Sequence, residues 1–539
     1  MKARHIVVVN FTRMGVLIQS GPLLRSLVES NPDGRLTLIV FEKFRDAAAH
    51  LPMVDTVLGF DVDGLAPRLA SKRGDLAEAY AYMRAFLQGP MLQDVDEIYN
   101  LSHTPLSATL CHLVRAKKIV GLQRTASGRI TLQGDWFTYL FSIMRERRLN
   151  PFNLVEICNR MNPALSGKHH LEFTITADDR RAAREMLSHA GIEPNERYVV
   201  LQPGASSAIR QWPARSFGEL SKRFAGAGLR TVLVGSKEER TLSETVLASA
   251  DGKVVTLAGL TDIGTLAAVL SGGERLVSND TGTIHLAAAV QTPAIGLYVG
   301  PASAKDTAPY GDGHIIIEPD LPCAPCGYHH ACHDLICHRS ISVEQVFALA
   351  MSPACDVERV SAGMQGIRVM RTAISDTGAF VLQRLNSPLH NTDDALVECY
   401  RAFWMSLLGE ADSRNTVFEP KWRDAVEELR GICQCARQAL NELRREASRV
   451  HPDPATLTTR LKSQAVWHES LRRFAERYPL LAPLPRFLLV RITTMHAENI
   501  AQFIKDAEAT ARLFERGVEL LATVCESRPE AGRIYAAAV

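Results

Sequence analysis

The sequence predicts an α/β protein of two doubly wound domains followed by a mainly helical one. Three observations predict it. Apolar runs of 4–6 residues, rich in Val, Ile and Leu, alternate with helical patterns of 8–15 residues from position 5 to about 350. That is the signature of buried parallel strands with crossover helices. The alternation breaks at 165–195, in "SGKHHLEFTITADDRRAAREML", and then restarts. From about 394 the apolar residues instead fall at helical spacing in long charged stretches. At 539 residues the chain is in any case too long for one core.

In chain order, "HIVVVN" leads into the helical "LIQSGPLLRSLVES", and "RLTLIV" into "FRDAAAHL". "DEIYNL" then leads into "LSATLCHLV" and "KKIVGL". The second set runs "RYVVLQPG", "ARSFGELSKRFAGAG", "RTVLVGS", "EERTLSETVLASA" and "VVTLAG". It closes with "DIGTLAAVLSGG", "ERLVSND", "TIHLAAAV" and "PAIGLYVG". "VSAGMQG" (360–366) reads as a linker, and "IRVMRTAISDTGAFVLQRL" as a hairpin turning at Asp376-Thr377-Gly378. "DAVEELRGICQCARQALNELRREASR" is an amphipathic helix whose Cys433 and Cys435, two residues apart, point in different directions and read as helix filler. The expected division is residues 1–175, residues 176–359 including the cysteines of 323–337, and a hairpin plus helical accessory domain over 366–539. The helical part carries no catalytic constellation and reads as a packing or assembly module.

Composition narrows the function. A net charge of +2 with 22% charged residues gives no basis for a nucleic-acid partner. No apolar run reaches 18 residues, and the N-terminus enters a strand with no signal-peptide core, so a cytoplasmic location is expected. In that compartment the 11 cysteines should be thiols or metal ligands.

Two such domains place a cleft between the carboxyl edges of their sheets. Arg210, on the loop "QPGASSAIRQWP", could hold a phosphate bidentately there or be a solvated loop arginine. Glu238, after "TVLVGS", stands where a carboxylate meets a ribose in many nucleotide-binding folds, or serves the dipole of the following helix. In "VSNDTGTIHLAAAV" a strand hands over to a helix through Asp280-Thr281-Gly282. This is either an ordinary turn capped by Asp280 or Thr281, or a site where bare N–H groups receive phosphate. His285, on the first turn of that helix, is read as facing the same cleft.

"RMGVLIQSGPLLRSL", "QPGASSAIRQWP", "GSKEER" and "SNDTGTIHLAAAVQTPAIGLY" together resemble glycosyltransferase family 9, the ADP-heptose lipopolysaccharide heptosyltransferases, over residues 5 to about 350. The resemblance implies a GT-B fold of two Rossmann-like domains and inverting transfer of heptose from ADP-heptose to a hydroxyl of lipopolysaccharide core or protein. It implies Asp280 on the heptose hydroxyls, Thr281 and Gly282 on phosphate, His285 supporting the turn or touching the diphosphate, and Glu238 on the ribose. The family usually has lysine where this chain has Arg210, so the positive charge is kept. By this resemblance no divalent ion is required for the chemistry. One departure is plain. The family's N-terminal turn reads Gly-Asp, with the aspartate as proton acceptor, whereas this chain has Gly15-Val16. Three explanations compete: His103 in "NLSHTPLSA" serves as base, the chain binds donor without catalysis as a scaffold, or the acceptor is acidic enough to need little help. A peripheral contact with the inner membrane and a homo-oligomer through the C-terminal helices are further partner expectations.

"CAPCGYHHACHDLICH" holds Cys323, Cys326, Cys332 and Cys337 within 15 residues, with four histidines interspersed. Four thiols so spaced suit tetrahedral zinc or a single iron in a closed structural site; four reduced loop cysteines is the bland alternative. Family relatives that glycosylate proteins carry a comparable finger, which the resemblance extends to this loop.

Overall fold

A computed structural model describes the chain apart from residues 1–3, 71–75, 145, 165–167, 251–253, 328–331, 377, 387–391, 410–421, 450, 496–498 and 527–539. The chain divides into two compact units, one formed by residues 1–120 and 152–389, the other by 121–151 and 390–539.

The first unit contains two parallel-dominated sheets. In the first, β1 (His5–Asn10) lies between β2 (Arg35–Phe41) and β4 (Glu97–Asn100), with β3 (Thr56–Phe60) outside β2, all parallel where their registers are defined. β5 (Lys118–Arg124) follows β4 in the sheet order and carries the chain out of this unit. β1 is buried along its whole length, which is why it reads as an unbroken "HIVVVN" and not as an alternating strand.

The second sheet comprises β7 (Tyr198–Gln202), β8 (Arg230–Leu233), β9 (Val254–Thr256), β10 (Arg275–Asn279), β11 (Ala294–Leu297), β12 (Ile315–Pro319), β13 (Ile367–Ile374) and β14 (Phe380–Arg384), in the order β14-β13-β12-β11-β10-β7-β8-β9. The hairpin β13–β14 therefore belongs to this sheet. It pairs antiparallel to β12, with Ile315 opposite Arg371, and corrects the expectation that it opens the accessory domain. Its inward side chains Ile367, Val369 and Leu385 join the core that contains Val277, Ile295 and Ile317. The first two residues of the supposed linker are the end of a short helix, Val357–Ser361. Thr377 of the expected turn lies outside the described residues; Ser375 and Gly378 close the turn beside it.

The second unit is mainly helical: Asp135–Ile143, Thr392–Leu407, Arg423–Ala447, Pro454–Arg477, Pro483–Thr493 and Ile500–Glu526. Residues 121–151 belong here, not to the N-terminal domain expected over 1–175. The end of β5 pairs antiparallel with β6 (Ile130–Gln133), and Leu132 N–H donates to the Thr494 carbonyl at 3.3 Å. The segment "DWFTYLFSI" then supplies Tyr139, whose ring meets Trp404 edge-on with centroids 4.9 Å apart; Phe403 and Phe487 enclose the same indole. Cys433 is buried and Cys435 exposed, as two residues apart on a helix require. Among the described residues no helix is long and apolar enough to cross a membrane.

Candidate active site

Each sheet of the first unit has a point where the strand order reverses. β1 and β4 flank it in the first sheet, β7 and β10 in the second. The crevice outside the carboxyl ends of such strands is where α/β folds take ligands. The loop after β7 carries Arg210, the turn after β10 carries Asp280-Thr281-Gly282, the helix after β1 carries Gly15 and Val16, and the loop after β4 carries His103.

Arg210 and Asp280 are brought together. The guanidinium is ion-paired with the Asp280 carboxylate, and Nη1 also donates to Ser206 Oγ at 3.0 Å. The Thr307 hydroxyl donates to Asp280 at 3.1 Å. The pair is well shielded: the Arg210 side chain is 16% exposed and that of Asp280 5%. Asn279, the last residue of β10, fastens the arginine loop at both ends. Its amide donates to the carbonyls of Pro203 (2.7 Å) and Gly204 (3.3 Å), and its Oδ1 accepts the Trp212 N–H at 2.9 Å.

The turn itself is not closed by a conventional cap. Thr281 holds the N-cap position of helix Gly282–Ala289, yet its side chain makes no capping bond; the hydroxyl meets Ser278 Oγ at 3.2 Å. Asp280 is taken by Arg210. The N-cap side chain therefore leaves the first-turn N–H groups of the helix to other acceptors, and together with the helix dipole they favour an anion. The first domain approaches at this point. A Cβ on Gly282 would lie 2.7 Å from Met14 Cε and 3.2 Å from Gly15 N, and one on Gly15 would lie 3.1 Å from Gly282 Cα. Side chains at either glycine would push the two carboxyl edges apart.

His285 does not face an open cleft. It is 3% exposed, roofed by Gly15, and its Nδ1 is buried without a partner among the described residues. Burial, then the nearby His314 and Arg210, push its pKa down to about 3, so it is neutral and brings no positive charge to a diphosphate. Glu238 also differs from expectation. It points into solvent, and its carboxyl lies below its ordinary range through hydrogen bonds with its own backbone and Ser236. The neighbouring Glu239 occupies the strand-end position instead: its carboxylate accepts from Ser236 N–H (2.8 Å) and Gln202 Nε2 (3.2 Å), in space that a Cβ on Gly204 would fill. Which of two adjacent acids turns inward depends on the phase of a three-residue turn, which the sequence leaves undefined.

His103 is exposed on its loop, beside Thr104, which caps helix Pro105–Val114 through Ser107 N–H at 3.2 Å. Val16 is partly buried on the short helix Met14–Gln19. The described residues do not gather the four cysteines into a coordination set. Cys323 is exposed and Cys337 buried, and among the described residues no three His, Cys, Asp or Glu side chains are arranged to hold a metal ion. His329 and His330 lie outside the described residues. Burial raises the Cys337 thiol, and Cys332 and Cys323 are close enough to raise it further.

The two parallel-dominated sheets thus carry, at the switch point of the second, an Arg–Asp pair beside a helix whose N-cap residue makes no side-chain bond. Residues 87–333 match the sequence model of glycosyltransferase family 9 (heptosyltransferase). The chain is similar to lipopolysaccharide heptosyltransferase 1 of Pseudomonas aeruginosa, 26% identical over 336 residues that cover 60% of this chain and 86% of that protein. It is also similar to lipopolysaccharide heptosyltransferase 3 of Escherichia coli, 23% identical over 53% of this chain and 80% of that protein. Superposition on the structure of E. coli ADP-heptose lipopolysaccharide heptosyltransferase II covers 64% of this chain and 96% of that one, at 17% identity and a TM-score of 0.48. The hairpin and most of the helical unit lie beyond the family match.

Proposed function

We propose that this protein transfers heptose from ADP-heptose, with inversion, to a hydroxyl of lipopolysaccharide core or of a protein. The observation that carries the reading is the meeting of Arg210 and Asp280 beside the uncapped turn Thr281–Thr283, at the switch point of the second sheet. In such a displacement negative charge grows on the departing diphosphate. The Arg210 guanidinium and the first-turn N–H groups stabilise it, each well-placed donor contributing about 3–4 kcal/mol. Asp280 sets the direction of the guanidinium and is the acid proposed to meet the heptose hydroxyls. Glu239, in place of Glu238, is the acid for the ribose. His285 acts as a neutral packing group under the turn.

His103 is the proposed proton acceptor, since it follows β4 at the switch point of the first sheet and Val16 cannot serve. The test is release of ADP from ADP-heptose in the presence of heptose-free core acceptor. The wild type should turn over, and His103→Ala should lose about 10²–10⁴ in kcat, the range of general-base assistance. Unchanged turnover in His103→Ala removes His103 from the mechanism. Val16 favours a second reading, a nucleotide-sugar binder without catalysis; tight ADP-heptose binding with no turnover on any acceptor would establish it. For the cysteine loop we retain a structural zinc or iron as the proposal, on the spacing of Cys323, Cys326, Cys332 and Cys337 alone. Purified protein free of both metals, with all four thiols open to titration, would end it.

A further inference from the structure

The histidine-rich end of the cysteine loop touches the arginine loop directly. His338 is 9% exposed, and its Nε2 lies 2.9 Å from the carbonyl oxygen of Ile209, the residue before Arg210. A carbonyl only accepts, so Nε2 carries the proton and donates. A second support comes from Gly300, after β11. Its φ of +63° and its closeness to Ile209 leave no room for a side chain; a Cβ there would sit 2.3 Å from the same carbonyl oxygen. Gly300 is in turn held by the cysteine segment: its carbonyl accepts Cys326 N–H at 3.1 Å, and its backbone is hydrogen-bonded to the Cys337 thiol. Three residues beyond His338, the Ile341 carbonyl accepts Trp212 Nε1–H at 3.0 Å. The peptide that orients Arg210 is therefore gripped from one side by Asn279 and from the other by His338 and Ile341, with Gly300 between.

We propose that His338 is a positioning residue for Arg210: its N–H, donated to Ile209, fixes the peptide from which the guanidinium reaches the donor diphosphate. The inference rests on the reading that Arg210 meets that diphosphate. It gives the cysteine loop a role in donor binding whether or not the thiols hold a metal, because the contact is made by a side chain outside the thiol set.

The experiment compares ADP and adenosine binding by calorimetry in the full chain, its His338→Phe, His338→Gln and Arg210→Gln variants, with metal content and thiol titre recorded for each. His338→Phe keeps the ring's bulk and removes only the donor. It should weaken ADP about tenfold, the affinity equivalent of one ordinary hydrogen bond, and leave adenosine unchanged. His338→Gln, which restores an N–H, should recover most of the loss. Equal weakening of ADP and adenosine, ADP affinity within about twofold of wild type, or no recovery in His338→Gln overturns the proposal. If Arg210→Gln itself binds ADP normally, the donor reading fails and takes this inference with it. If Arg210→Gln loses ADP while His338→Phe does not, the positioning role alone is wrong.

Discussion

The two units spend their buried polar groups differently. In the α/β unit, Asn279, Asp280, His285 and Gln202 sit at or near strand ends with almost no solvent contact; Asn279 holds loop backbone in place, and Gln202 holds the Glu239 carboxylate. In the helical unit the interior around Trp404 is aromatic and aliphatic, Glu446 and Arg147 are among its few buried charges, and ion pairs run along the outer faces of the long helices. There Arg430 and Arg444 of one long helix pair with Glu519 and Glu508 of another at 3.2 Å each, and Arg437 pairs with Glu515 between them. The seven-residue spacing of these arginines against descending glutamate numbers is an antiparallel helix pair laced at its surface. Buried polar groups that hold loops are what a site requires, because they fix donors before a ligand arrives. Surface ion pairs over an apolar core stabilise and specify packing, and by themselves offer nothing to a substrate.

The contrast can be broken at its strongest point first. Trp404→Ala should cost about 3–5 kcal/mol, the range for deleting a large buried aromatic, and should lower the melting temperature of the helical unit while ADP affinity stays unchanged. A fall in ADP affinity as large as the fall in stability would mean the helical unit contributes to the site. Arg210→Ala should do the reverse. It removes a donor from the growing charge, with a loss of about 10²–10³ in kcat. It also strands a buried carboxylate, so the double variant Arg210→Gln/Asp280→Asn should be more stable than Arg210→Ala while remaining inactive. Equal stability of the two would mean Asp280 is not confined as the structure has it.

A smaller effect lies in pH. His285 has a folded pKa of about 3 and His314 one of about 4, both depressed chiefly by burial below an ordinary value near 6.5. Between those values the unfolded chain binds protons that the folded chain refuses, so stability is full above about pH 6.5 and falls as pH drops towards 4. Chemical denaturation at pH 7 and pH 5 should show that loss, and His314→Gln should reduce it. A pH-independent midpoint would contradict the burial of these rings. Smallest of all, Arg444→Ala should change stability by no more than about 1 kcal/mol, as exposed pairs do, and that little should vanish in high salt.

Much of the α/β unit was legible in the sequence because its strands are buried on both faces. "HIVVVN", "RLTLIV", "RYVVLQ" and "RLVSN" stand out as continuous apolar runs, and all are strands. β3 and β12 were overlooked: "TVLGF" is only partly buried, and "IIIEP" follows a Gly/Asp turn that reads as loop. The hairpin was recognised but given to the wrong neighbour, since antiparallel pairing with β12 is decided by a shared core and leaves no local mark. At the site, Arg210 and the Asp280–Gly282 turn were visible through their chemistry. Asn279, Glu239 and His338 were not. Asn279 looked like the polar end of a strand, Glu239 was masked by an identical neighbour, and His338 looked like part of a metal loop. Their roles arise from contacts across 67 to 129 residues of chain or from the phase of one turn, which no local pattern encodes.

The central claim is that the switch point of the second sheet is a diphosphate seat. A crystal structure of the ADP complex tests it most directly. The account predicts the diphosphate within hydrogen-bonding distance of both the Arg210 guanidinium and the Gly282–Thr283 amides; ADP bound with its phosphates away from both would contradict it.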